Sequence, residues 1–213
     1  MFQSLPSFFG IAKNLFTAGR IPIGEEVKRL ERLTSSRGIK LALSIHREDL
    51  HHYIYKELEE YADRSGPLSE LQLISIDAHS DCDVYGGKLH CGNWVTRVTS
   101  DFPKRGIIPR LGLLSAEAID SKHAHVFPLG IFSEPLRWPK NWCGIVSFDL
   151  DYSVGWNEST AMRSQIKDRI EGVVDAWISN RVRIELLHID RGYIGEAEVP
   201  FALKCFNDAF ERY

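Results

Sequence analysis

Residues 73–94, LISIDAHSDCDVYGGKLHCGNW, set a short apolar run directly against acids and histidines. The run LQLISID, 71–77, has the length and β-branched content of a buried strand. Asp77, His79 and Asp81 follow at a spacing of two. On extended backbone, side chains two apart share a face, so this spacing crowds two carboxylates and an imidazole onto one patch. Carboxylates held that close disfavour each other's charge unless a cation lies between them. A metal site is the first expectation for this chain.

Similar strand ends recur. IKLALSI (39–45) reads as a buried strand that runs into a helix, HREDLHHYIYKELEEYADRSG, stopped at Gly66–Pro67. A loop bearing Gly86, Gly87 and Gly92 follows the 71–77 strand, and a short helix starts near Asn93. GIIPRLGLLS and HAHVFPLGI are weaker strand candidates, interrupted by prolines. GIVSFDLD (144–151) and RIELLHID (183–190) are clear strands. Between them a helix is expected from Glu158 to Asn180, with Met162, Ile166, Ile170, Val173 and Trp177 on one face. A closing helix is expected over 200–212. Apolar strands alternating with helices predict an α/β fold of three layers, a mostly parallel sheet flanked by helices. The expected organisation is a single domain over 1–213. It has a lead-in or arm at 1–38, a core at 39–195 and a closing segment at 196–213.

In parallel sheets ligands gather beyond the carboxyl ends of the strands. Four strand ends carry metal-capable residues: His46; Asp77, His79 and Asp81; Asp149 and Asp151; His188 and Asp190. Carboxylates with two imidazoles and no required thiolate favour a hard or borderline ion such as Mn²⁺ over structural zinc. The number of carboxylates suits two ions about 3.5–4 Å apart, a pairing that makes hydroxide from water near neutral pH.

Asp77-Ala78-His79-Ser80-Asp81 and Ser147-Phe148-Asp149-Leu150-Asp151 resemble the two metal motifs of the arginase–agmatinase superfamily, the ureohydrolases. The order and strand context agree from about residue 39 to 195. His46-Arg47-Glu48-Asp49-Leu50 and His90-Cys91-Gly92-Asn93-Trp94 resemble a shorter branch that includes the peptide arginases. These convert arginine side chains in peptides to ornithine and urea. The resemblance implies an arginase-like fold with two Mn²⁺ bridged by Asp77 and Asp149. It implies that His46 and Asp81 complete one ion's shell, and that His79 and Asp151 complete the other's. It gives His90 the proton for the leaving amine. It sets Asp190 where arginases carry a guanidinium-binding glutamate; Asp190 is shorter by a methylene, and another acid remains open for that role. His51 or His52 remains open as the ligand instead of His46. The short segment CDVYGGKL between Asp81 and His90 offers few groups to grip a free amino acid, which favours an arginine-containing precursor peptide as substrate.

Net charge is −3 with no long run of one sign, so neither a nucleic-acid footprint nor a polybasic membrane patch is expected. No apolar run reaches the roughly 20 residues of a membrane span. MFQSLPSFFGIAKNLF lacks a basic region ahead of its apolar part, which argues against a signal peptide. It reads as an N-terminal helix or arm that packs on the domain or on a second subunit, which admits a homo-oligomer. Cys82, Cys91, Cys143 and Cys205 form no CxxC pair and read as reduced thiols of a cytoplasmic protein. Against the metal reading stand a solvated acidic loop for Asp77, His79 and Asp81, and helix N-capping or turn formation for Asp149 and Asp151. Competing functions are a ureohydrolase of agmatine or another small guanidino compound and a metal-stabilised peptide-binding module. A dinuclear phosphoesterase is a third, for which Arg191 and Lys88 are the nearby cations.

Overall fold

The computed structural model describes residues 24–44, 50–65, 70–79, 81–82, 89, 91–115, 126–130, 138, 140–153, 163–196 and 198–213. Among them six strands form one sheet: β1 (Lys40–Ser44), β2 (Glu70–Asp77), β3 (Ile108–Ser115), β4 (Val126–Gly130), β5 (Cys143–Asp149) and β6 (Arg183–Asp190). Their order is β1-β6-β5-β2-β3-β4 and every pairing is parallel. From β2 the chain builds outward through β3 and β4. It then returns to lay β5 on the other side of β2 and continues to β6. The order therefore reverses between β2 and β5, the place where open parallel sheets form a ligand crevice.

Among the described residues five helices accompany the strands: α1 (Glu25–Ser36), α2 (Leu50–Ser65), α3 (Trp94–Asp101), α4 (Arg163–Ser179) and α5 (Val199–Phe210). Two buried clusters show how they divide. On one face Val27 and Leu30 of α1, Ile166, Ile170 and Trp177 of α4, and Phe206 of α5 cover Ile74, Ile76, Val146, Phe148, Leu187 and Ile189. On the other, Ile54 and Leu58 of α2 and Trp94 and Val98 of α3 cover Leu71, Leu73, Leu111, Ile145 and Leu186. Neighbouring strand residues such as Leu73 and Ile74 thus face opposite layers. The expected α/β sandwich of helices on both sides of a parallel sheet is what forms.

Local chemistry explains several boundaries. The apolar face of α4 is as read from Ile166 to Trp177; Met162 and the residues back to Glu158 lie outside the described residues. The helix ends in a Schellman turn, in which Val182 N–H reaches the Trp177 carbonyl and Arg181 N–H the Ile178 carbonyl. Arg181 occupies the left-handed position (φ 54) and turns the chain into β6. The prolines do not stop the outer strands. Pro109 precedes the stretch of β3 that pairs with β4, and Pro128 sits on the edge strand β4, where the register slips. At the start of β5, a Cβ on Gly144 would fall 2.4 Å from the Gln72 carbonyl, so only glycine lets β5 lie this close to β2. The 1–38 lead-in contains a helix that the sequence reading passed over. Val27, Leu30 and Thr34, spaced three and four apart, bury one face of α1, and Arg29 pairs with Asp208 and Glu211 around α5. No described helix is long and apolar enough to cross a membrane.

Trp177 is fully buried, with ring centroids 5.9 Å from Trp138, 6.0 Å from Phe206 and 6.3 Å from Phe148. Trp177→Ala is expected to cost about 3–5 kcal/mol in urea unfolding, measured as a lowered midpoint at unchanged slope.

Candidate metal centre

β2, β5 and β6 end alike. Each closes on an aspartate whose Oδ1 accepts the backbone N–H two residues further on: His79 to Asp77 at 2.8 Å, Asp151 to Asp149 at 3.0 Å, Gly192 to Asp190 at 2.8 Å. These Asx turns bend each chain out of the sheet as the strand stops. Asp149 and Asp190 are register partners, and Asp77 stands one step beyond the pair Ile76 and Phe148. Three carboxylates therefore line the carboxyl rim across the β2–β5 reversal.

The turns correct one detail of the sequence reading. Asp77, His79 and Asp81 do not share a face of continuing extended strand, because β2 stops at Asp77. Likewise Asp151 lies in a 3-10 turn, Leu150–Ser153, rather than in β5. The turns nevertheless gather Asp77, His79 and Asp151, whose donor atoms all lie within 4.8 Å of one another. His79 Nδ1 is 3.2 Å from Asp77 Oδ1 and 3.4 Å from Asp151 Oδ2. Asp151 also accepts Ala78 N–H at 3.2 Å and Tyr193 N–H at 3.3 Å, which ties the loops after β2 and β6 to the turn after β5. Asp81 stands apart from that group. It is buried in the left-handed region (φ 51), and its Oδ2 accepts the indole N–H of Trp94. His46 and His90 lie outside the described residues, as do the side chains of His51, His52 and Cys91. Cys82 and Trp94 belong to the apolar cluster under α2 and α3.

The electrostatics are severe. Burial, with the charges of Asp151, Asp77 and Asp190 beside it, pushes Asp149 well above the usual carboxylate range. Asp190 is driven up in the same way by burial and then by Asp77 and Asp151, and Asp77 is raised chiefly by burial. Hydrogen bonds donated to Asp151 and Asp77 pull His79 up to about 10. Four carboxylates thus face one imidazolium. Arg191 does not relieve them, because its guanidinium turns to the Ile194 carbonyl and Glu196. A clustered, oxygen-rich donor set with an imidazole suits a hard or borderline divalent cation. Such an ion would return these carboxylates to their charged form.

Beneath the rim lies a second polar row, of which the sequence reading used only His188. Ser75, Ser147 and His188 are register partners one layer below the aspartates. The His188 ring is held by Ser44 Oγ at Nε2 (2.8 Å) and by Ser147 Oγ at Nδ1 (2.9 Å). Both nitrogens are engaged, so His188 supports the rim instead of ligating. The signal was present in the sequence: a polar residue stands two positions before each proposed site residue, at Ser44, Ser75, Ser147 and His188. Gly192 was also overlooked. Its φ is +55, and a Cβ there would fall 1.9 Å from Asp149 Oδ1.

No protein-family model matches the sequence, and no curated protein matches it. Among solved structures the chain is similar to proclavaminate amidinohydrolase from Streptomyces clavuligerus, at 17% identity and TM-score 0.49 over 91% of this chain and 72% of that one. It is also similar to a hypothetical agmatinase from Burkholderia thailandensis, at 14% identity and TM-score 0.47 over 91% and 68% of the two chains. Helicobacter pylori arginase matches at 10% identity and TM-score 0.42 over 89% and 76%.

Two outcomes follow from the geometry. Gly192→Ala places a methyl group against the Asp149 carboxylate; calorimetric titration should show at least a tenfold loss of Mn²⁺ affinity. The metal-free protein should lose stability as pH rises. Carboxylates with raised folded values stabilise fully below their unfolded value of about 4 and lose that contribution as pH climbs through the folded values. His79 adds a loss of the same sign between 6.5 and about 10. Thermal melts across pH with a chelator should fall over this window, and saturating Mn²⁺ should flatten the slope.

Proposed function

We propose that this chain is a metal-dependent hydrolase of the ureohydrolase class, acting on the guanidinium of arginine side chains in a peptide and giving ornithine and urea. The observation that supports it is the convergence of Asp77, His79, Asp149, Asp151 and Asp190 on one rim at the β2–β5 reversal. In this reading Asp77, His79, Asp149 and Asp151, with His46 and Asp81, would hold two Mn²⁺. The bound metal pair would supply an activated water for attack on the guanidinium carbon.

The remaining work falls to side chains. A guanidinium is planar, with five N–H donors, and a carboxylate holds it through paired hydrogen bonds. Asp190 is the acid assigned to this task. Asp190 is the register partner of Asp149, so a guanidinium held there would have its carbon near the carboxylates assigned to the metals. Water adds to that carbon, the bond to the side-chain nitrogen breaks, and the departing amine takes a proton. His90 is assigned as the donor of that proton. Asp81 is held by Trp94, so the loop that leads to His90 is fixed to the α3 face at one end. The brevity of that segment supports a peptide over a free amino acid, since an open rim lets a backbone continue past on both sides.

Mass spectrometry of arginine-containing peptides incubated with Mn²⁺-loaded protein should show a loss of about 42 Da per converted arginine, the mass of the fragment this hydrolysis removes. Urea should appear in step. Asp149→Asn should lower the rate at least a thousandfold while the protein remains folded. Urea from agmatine or free arginine but from no peptide would move the substrate to small guanidino compounds. Full activity in Asp149→Asn would overturn the metal reading.

A further inference from the structure

Three large apolar residues stand exposed among the described residues: Ile108, Ile178 and Tyr193. Ile108 opens β3, and Ile178 closes α4 just before β6 begins, so both belong to the amino-terminal side of the sheet. Tyr193 alone among them lies at the carboxyl rim, three residues past the end of β6. It is 56% exposed although its backbone is bound into the site, its N–H donating to Asp151 Oδ2 at 3.3 Å. Its ring meets His79 at 5.3 Å between centroids and 62° between planes. Gly192, fixed against Asp149, sets where the tyrosine starts. An aromatic ring fastened to the metal-binding carboxylates at its backbone, and open to solvent over most of its surface, is a wall beside the cleft.

We infer that Tyr193 is a substrate-positioning residue: its ring is the platform along which the substrate's arginine side chain lies on its way to Asp190. This rests on the guanidinium-hydrolase reading above. A guanidinium is weakly hydrated and stacks on aromatic faces, and its methylene stem packs on the same surface. The acidic cluster attracts the cation, and the ring gives it a direction of approach that carboxylates alone do not provide. A platform outside the reacting centre binds ground state and transition state alike, so its removal acts on KM and leaves kcat in place.

The test compares wild type, Tyr193→Ala and Tyr193→Phe in the presence of Mn²⁺. It measures urea release from an arginine-containing peptide and, by calorimetry, equilibrium binding of the same peptide with its arginines intact. Tyr193→Ala should raise KM and the dissociation constant about three- to thirty-fold, the span of cation–π contacts from exposed to desolvated sites. Its kcat, Mn²⁺ affinity and melting temperature should stay at wild-type values. Tyr193→Phe should restore KM to within about twofold, since the ring and not the hydroxyl is the platform. Unchanged KM and binding in Tyr193→Ala would overturn the inference. So would a fall in kcat or Mn²⁺ affinity at constant KM, which would make the ring a brace for His79. Peptide binding that depends on Tyr193 without urea from any guanidino substrate would leave the platform standing and defeat the hydrolase. No peptide binding by wild type would defeat both.

Discussion

The repulsion among buried carboxylates at the carboxyl rim is the constraint around which the described structure is arranged. Asp77, Asp149 and Asp190 are held beside Asp151, with their own charges disfavoured by burial and by the neighbouring carboxylates. A cluster of this kind persists only where the surrounding backbone fixes it. Three Asx turns do so at the strand ends, each using the carboxylate oxygen that the turn itself brings round. Asp151 draws the loops after β2 and β6 together through their N–H groups. Below them His188 braces β1 and β5 across β6 through two serine hydroxyls. The His188 ring has a hydrogen-bond partner at both nitrogens, the condition under which burial of such a group is tolerated.

The rear of the sheet supplies what the rim costs. Phe148, Trp177 and Phe206 meet edge to face behind β5, and α5 is buried along most of its length. Phe148 and Asp149 are adjacent in sequence and face opposite layers. One residue anchors β5 in the larger apolar cluster while the next presents a carboxylate at the rim. The same division holds for Ile76 and Asp77 and for Ile189 and Asp190. Alternation on a strand couples the rigidity of one layer to the chemistry of the other.

Much of this was legible in the sequence because β2, β5 and β6 end in the same way, apolar run and then aspartate. The strand assignments followed from that, and so did the single rim. What period-two reasoning could not show was where the strand stops. It carried the alternation through His79, Asp81 and Asp151, whereas an Asx turn intervenes in each case and sends Asp81 toward Trp94. The aspartate is both the last strand residue and the turn former, and composition does not separate those roles. Helix α1 was missed because its buried face, Val27, Leu30 and Thr34, is narrow and sits among charged residues. The outer strands seemed weak because proline reads as a breaker, yet at a strand's opening and on a sheet edge it removes no needed hydrogen bond.

The close approach of Gly192 to Asp149 joins two positions that lie 43 residues apart in the sequence. Evolutionary drift at one is thereby tied to the other. A descendant that keeps the Asp149 carboxylate in place has no room for even the smallest chiral residue at 192. One that has abandoned the carboxylate is released from that restriction. In any lineage descended from this fold, the residue after the Asp190–Arg191 pair becomes a readable marker of whether the acidic rim is still in use.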